Sequence, residues 1–182
     1  MAEQEVAESV ITDEMREAIG KESAPTTLEV DKTGCRMFAR AVGHTDLIFY
    51  DEKYAKSKGH RSIVAPPGFF GTPAFNPGGG RSEGPPARGF SIPYKRVLNG
   101  GTEYEYLDSV SIPYKRVLNG GTEYEYLDSV CAGDRLTSTT KISGFTERKG
   151  SIGPMLITER ETTYTNQAGN VVAKMLGTTI QY

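Results

Sequence analysis

FARAVGHTDLIFYDEKYAKSKGHRSIVAPP, residues 38–67, is the stretch whose reading decides the fold. It opens inside a helix: from Thr33 onward, Met37, Phe38 and Val42 are spaced to share one helical face, and Gly43 is a natural stop. His44-Thr45-Asp46 follows as a polar turn, and Leu47-Ile48-Phe49-Tyr50 as an aromatic step. Asp51 is placed to cap a second helix, DEKYAKSKG, that ends at Gly59. Ser62-Ile63-Val64-Ala65 then runs into Pro66-Pro67, a pair that cannot continue a helix and makes a rigid bend. Imidazole, carboxylate, phenol and glycine crowd together here more densely than anywhere else in the chain, which marks the stretch as a loop-and-helix with the parts of a catalytic site.

Working outward, Thr12 is set to cap a helix carrying Asp13 and Glu14 in its first turn and ending at Gly20. Pro25 to Thr27 breaks the chain, and the TLEV that ends at Val30 alternates as a short strand does. Downstream, residues 68–90 are rich in Gly and Pro and predict a long loop, read as a flap over a site. Residues 91–110, SIPYKRVLNGGTEYEYLDSV, then recur letter for letter as residues 111–130. Each copy holds an Asn-Gly-Gly turn and a TEYEYL strand in which tyrosines (Tyr104 and Tyr106, or Tyr124 and Tyr126) alternate with glutamates. The copy length of 20 is even, so either copy can join a sheet with the same face inward, and one copy is expected to be surplus. After a turn at Gly133-Asp134 come a Thr-rich strand, a polar hairpin loop from Thr146 to Pro154, the strand MLITERETTYTN, a turn at Gln167 to Asn170, and the closing strand VVAKMLGTTIQY. Helices first and an antiparallel meander second is an α+β arrangement.

With 182 residues, 37% hydrophobic and 24% charged, the chain is expected to be one soluble domain spanning 1–182. A net charge of −2 excludes a nucleic-acid footprint or a polybasic membrane patch, so neither partner is expected. The acidic start MAEQEVAESVITDEM lacks the pattern of a signal peptide, and no apolar run is long enough for a membrane helix, so the expected location is cytoplasmic. The two cysteines, Cys35 and Cys131, lack metal-ligand spacing, and no metal or other cofactor is expected. The basic pairs Lys95-Arg96 and Lys115-Arg116 read as solvated, and His60 as a helix-end residue favouring the dipole.

The 38–67 stretch, LNGGTEYEYLDSVCAGDRL and TYTNQAGNVV occur in an order that resembles the MaoC-like dehydratases, and within them the FAS1-like N-terminal half and the non-catalytic subunit of the mycobacterial 3-hydroxyacyl-thioester dehydratases. The resemblance covers Ile19 to Thr179 and implies a hot-dog fold, a central helix wrapped by an antiparallel sheet and paired with a second hot-dog subunit in a hetero- or homodimer. It also implies a substrate, an acyl-CoA or acyl-carrier-protein thioester, and a reaction, the reversible hydration of its 2-enoyl form. Active members carry Gly-Asp-x-Asn-Pro-x-His, whose carboxylate and imidazole activate the water. Here that motif reads Gly43-His44-Thr45-Asp46-Leu47-Ile48-Phe49, with phenylalanine at the place of the proton-transferring histidine. The thioester-polarising N–H of the family falls near Pro66-Pro67, which have none.

His44 and Asp46 are therefore the candidate catalytic residues, as a degenerate pair with Tyr50 beside it, while Phe49, Tyr50, Ala65, Pro66, Pro67 and Gly68 are candidates for the acyl-binding wall. The expected function is the non-catalytic, tunnel-shaping half of an enoyl-thioester hydratase. The alternative is a non-enzymatic acyl-thioester-binding or structural hot dog.

Overall fold

The structure, a computed structural model, describes residues 9–71, 97–98, 118–150 and 153–181. Three short helices lead: α1 (Asp13–Ala18), α2 (Lys32–Ala41) and α3 (Glu52–Ser57). Each begins where a side-chain oxygen meets an orphan N–H: Thr12 accepts from Met15, Asp31 from Gly34, and Asp51 from Lys53 and Tyr54. The strands are β1 (Thr26–Glu29), β2 (Val97–Leu98), β3 (Leu118–Tyr126), β4 (Arg135–Gly150), β5 (Gly153–Thr165) and β6 (Val171–Gln181). They form one antiparallel sheet in which β4 lies between β1 and β5, and β5 between β4 and β6; β6 also pairs β3 and the two-residue β2.

Period-2 burial shows which face is inner: Leu156, Thr158, Thr162 and Tyr164 of β5 are all buried. The core joins that face to the helical layer through Leu136, Tyr164, Val172 and Ala173 on one side and Cys35, Ile63, Ala65, Phe69 and Phe70 on the other. α2 shows the limit of pattern reading. Of the expected face Met37, Phe38 and Val42, only Phe38 packs against the core; Met37 and the C-cap residue Val42 are 68% and 51% exposed, whereas Cys35 and Ala39 are fully buried. At the start of α2, a Cβ on Gly34 would sit 2.7 Å from Asp31 Oδ2, so the capping carboxylate there needs glycine.

The second copy of the repeat supplies β3, with Tyr124 opposite Met175 and Tyr126 opposite Ala173; Tyr104 and Tyr106 lie outside the described residues. The two copies reach the same register on β6, since Leu98 and Leu118 are both aligned with Ile180. What favours copy two is its continuation. Val130, Cys131 and Ala132 follow it directly, and they pair with Ile63 to Ala65 through Ala65 N–H to Val130 O (2.8 Å), the Val64–Cys131 bridge and Ala132 N–H to Ile63 O (2.9 Å). Copy one in the same slot would need twenty residues inserted between the strand and this pairing, a far larger loop closure than lengthening the connection before it.

Two expectations need correction. Residues 146–150 and 153–154, expected in a loop, belong to the ladder: Thr146 pairs with Ile157, Glu147 with Leu156 and Gly150 with Gly153. Thr146, Glu147, Arg148 and Lys149 are all exposed, so polarity there reports exposure on both faces of the hairpin and not a break. The 68–90 segment also begins as core: Phe69 and Phe70, in a short 3₁₀ turn, are 4% and 8% exposed, and only residues 72–90 of the expected flap lie outside the described residues. The basic pairs 95–96 and 115–116 lie outside them too. Among the described residues no helix is long and apolar enough to cross a membrane.

Candidate functional site

A groove of about 550 Å³, an ordinary size for a small-molecule site, opens where the 47–49 turn, the Val64–Phe70 bend and the end of β3 converge. Ile48, Phe49, Val64, Ala65, Pro67 and Phe70 make one wall; Tyr126, Leu127 and Val130 face them, with Asp128 and Ser129 in the turn beyond. Apart from Tyr126, Asp128 and Ser129 the lining side chains are apolar, the usual make-up of a small-molecule site. Phe70 ties the two walls together: its ring stacks on Tyr164 at 4.7 Å and lies 5.7 Å from Tyr126, which in turn stacks on Tyr124 at 5.9 Å.

The sequence-predicted residues divide into two groups. Phe49, Ala65 and Pro67 line the groove, and Gly68 borders it through a hydrogen bond to a lining residue, its N–H donating to the Tyr126 phenol oxygen at 2.6 Å. Pro66 is fully buried beneath the wall and so supports it rather than touching a ligand. Tyr50 lies outside the groove lining; its hydroxyl donates to His44 O at 2.6 Å and staples the turn.

His44 and Asp46 are close in sequence but no hydrogen bond joins them. The His44 ring packs on Phe49 at 5.0 Å. The Asp46 carboxylate is taken up in capping the 47–49 turn, accepting from Ile48 N–H at 3.0 Å. Neither lines the groove. Phe49, at the motif position of the histidine, does, and it is buried. His60 lies at the end of α3, where its N–H donates to Ala55 O at 3.1 Å.

Sequence reasoning missed two groups. Tyr126 was read as a strand residue, and its meeting with Gly68 across 58 positions has no local signal. Asp134 was read as a turn residue, yet its carboxylate is buried and acts as a hub. It accepts from Arg61 Nη1 and Nη2 (2.5 and 2.8 Å), Cys131 N–H (2.9 Å) and Gln167 Nε2 (3.1 Å). Burial pushes its pKa up, but Arg61, the Cys131 N–H and Gln167 outweigh that and hold the carboxyl below its ordinary range. This hub fixes the 130–134 turn, and through Val130 and Ala65 the groove's floor.

A second, charged groove of about 640 Å³ lies beside that hub, where Lys32 pairs with Glu52 and Arg61 with Asp134. Cys35 is buried, and desolvation first, with Asp31 and Cys131 adding to it, pushes its thiol pKa up to about 12, so it is no nucleophile. Among the described residues no three or more His, Cys, Asp or Glu side chains are grouped to hold a metal ion.

Comparison with known proteins agrees with this geometry. The profile of the family described as "FAS1-like, dehydratase domain region" matches residues 17–111 and 107–175, two pieces that meet where copy one ends. A UPF0336 protein of Streptomyces griseus is 30% identical over 134 residues, 73% of this chain and 74% of the relative. Among solved structures, a chain of the HadBC 3R-hydroxyacyl-ACP dehydratase complex of Mycobacterium tuberculosis is similar at 20% identity and TM-score 0.61, covering 90% of this chain and 96% of that one. A chain of the ChsH1-ChsH2 complex of the same organism is similar at 16% identity and TM-score 0.64, covering 88% of this chain and 84% of that one. At such identities the structural likeness establishes the fold: α+β, hot-dog.

Proposed function

This chain belongs to the FAS1-like dehydratase family, and on that premise we propose that it is the tunnel-shaping, non-catalytic half of an enoyl-thioester hydratase (3-hydroxyacyl-thioester dehydratase) whose second hot-dog subunit supplies the Asp/His pair. The observation that carries the reading is the groove itself, with one wall of Ile48, Phe49, Val64, Ala65, Pro67 and Phe70 and with Phe49 where the family's imidazole stands. A phenyl ring moves no proton, and the nearby carboxylate of Asp46 is engaged in capping. What this chain's residues do is bind and exclude water. Ile48, Phe49, Val64 and Phe70 cover the acyl chain, each buried methylene contributing about 0.8 kcal/mol. The thioester handle belongs to coenzyme A or acyl carrier protein. A paired subunit is supported by the two solved complexes whose chains share this fold, each named as an assembly of two proteins.

The test is hydration of crotonyl-CoA, followed by loss of the enoyl absorbance, for the purified chain alone and for the chain co-expressed with the hot-dog protein that co-purifies with it. Turnover is expected only for the pair, and unchanged in His44→Ala. Turnover by the isolated chain that disappears in His44→Ala would restore His44 and Asp46 as a working dyad and overturn this reading. Acyl-CoA binding without turnover in either sample would favour the non-enzymatic acyl-thioester-binding alternative.

A further inference from the structure

We propose that the Tyr126 phenol is the group that receives the acyl carbonyl in this groove: its O–H donates to the thioester oxygen while the Gly68 N–H holds and polarises the phenol from behind. The inference rests on the acyl-thioester reading above and names the positioning residue of that site.

A thioester carbonyl drawn into an apolar groove loses its water and must find a donor. The backbone offers little. The N–H groups of Ile48, Phe49, Val64, Ala65, Leu127 and Ser129 already donate to Asp46 Oδ1, Asp46 O, Ile48 O, Val130 O, Val172 O and Asp128 Oδ1. Pro67 has no N–H. Gly68 N–H is engaged by Tyr126 at 2.6 Å. A phenol oxygen that accepts one hydrogen bond still has its own hydrogen to give, and accepting from an N–H strengthens it as a donor. That hydrogen has no other acceptor among the described residues.

The phenol is also well placed to stay where it is. Tyr126 sits on a sheet strand opposite Ala173, and its ring is flanked by Phe70 and Tyr124. At the same time the residue is 41% exposed and lines the groove. Burial raises the phenol pKa and the Gly68 N–H offsets that in part, so the group is protonated, and a donor, at neutral pH. Gly68 reaches its position with φ +85°, a conformation suited to glycine, and Phe38 Cζ lies 3.4 Å from where a Cβ would stand.

The experiment uses the full chain, alone and with its co-purifying subunit, and trans,trans-2,4-hexadienoyl-CoA as probe. Its conjugated absorbance band moves to longer wavelength when the carbonyl accepts a strong hydrogen bond. Wild type is expected to bind with a red shift. Tyr126→Phe keeps the ring packing and is expected to bind about tenfold more weakly with the shift abolished. Tyr106→Phe, the same residue in the other copy, is expected to behave as wild type. A red shift that survives Tyr126→Phe, or is lost in Tyr106→Phe instead, overturns the assignment while leaving the acyl-binding reading intact. Wild-type binding without any shift does the same. No binding by wild type in either sample overturns the acyl-thioester reading and this inference with it.

Discussion

Replacing Asp134 by alanine is the sharpest structural test, because one buried carboxylate holds together three segments distant in sequence. It satisfies four donors, two from Arg61 and one each from Cys131 and Gln167. Alanine leaves the Cys131 N–H, in a residue 1% exposed, without a partner at a cost of about 1–3 kcal/mol. It also removes the only buried end of the Arg61 ion pair. Arg61 itself is 57% exposed along its side chain and can return to water, so its share is discounted to about 1 kcal/mol. The sum, about 3 kcal/mol, corresponds to a fall in melting temperature of roughly 6–12 °C for a chain of this size. Arg61→Ala is expected to cost less, about 1–2 kcal/mol, since Cys131 and Gln167 still serve the carboxylate. The assay is urea unfolding by circular dichroism, with acyl-CoA binding measured in parallel, because Val130 and Ala65 lose their anchor together. The pH dependence follows from a depressed folded-state pKa: the stabilisation is complete above the unfolded value of about 3.9 and is lost as pH falls through the folded one. Asp134→Asn should therefore flatten the acid limb of the stability profile. An Asp134→Ala variant within about 1 kcal/mol of wild type, or less affected than Arg61→Ala, would refute the hub.

Two further outcomes are expected. Deleting residues 91–110 gives the same chain as deleting 111–130, and that product should keep its acyl-CoA binding and melt within a few degrees of wild type. Shortening the connection ahead of β3 changes its closure free energy by less than about 0.6 kcal/mol, so a large loss of stability in differential scanning calorimetry would show that both copies are built into the fold. At the alkaline end, burial, reinforced by Tyr124 and Tyr126, pushes the Tyr164 phenol up to about 12. A raised folded-state pKa gives stability that is present below the unfolded value near 10 and lost as pH rises through the folded one, so Tyr164→Phe should resist alkaline unfolding that wild type shows between those values.

What could be read without a structure was local or periodic. Thr12 and Asp51 cap helices because the oxygen and the N–H it serves are two or three residues apart. The alternating tyrosines and glutamates of β3 and the alternation in β5 follow from the two-residue period of a strand. The substitution of Phe49 for an imidazole is a statement about one position and needs no coordinates. The sequence by itself therefore determined the fold class, and it supplied the reading of the 38–67 stretch on which the proposed function rests. Only the tertiary structure decided which residues of α2 are buried, since Met37 and Val42 promise burial as well as Cys35 and Ala39 do until the helix is set against the core. It also decided which of two identical copies becomes β3, because the copies differ solely in what is covalently attached to their ends. The Asp134 hub and the Gly68–Tyr126 bond belong to the same class: they join residues 73 and 58 positions apart, and a pairing at that distance is fixed by the closed sheet rather than by any short-range pattern.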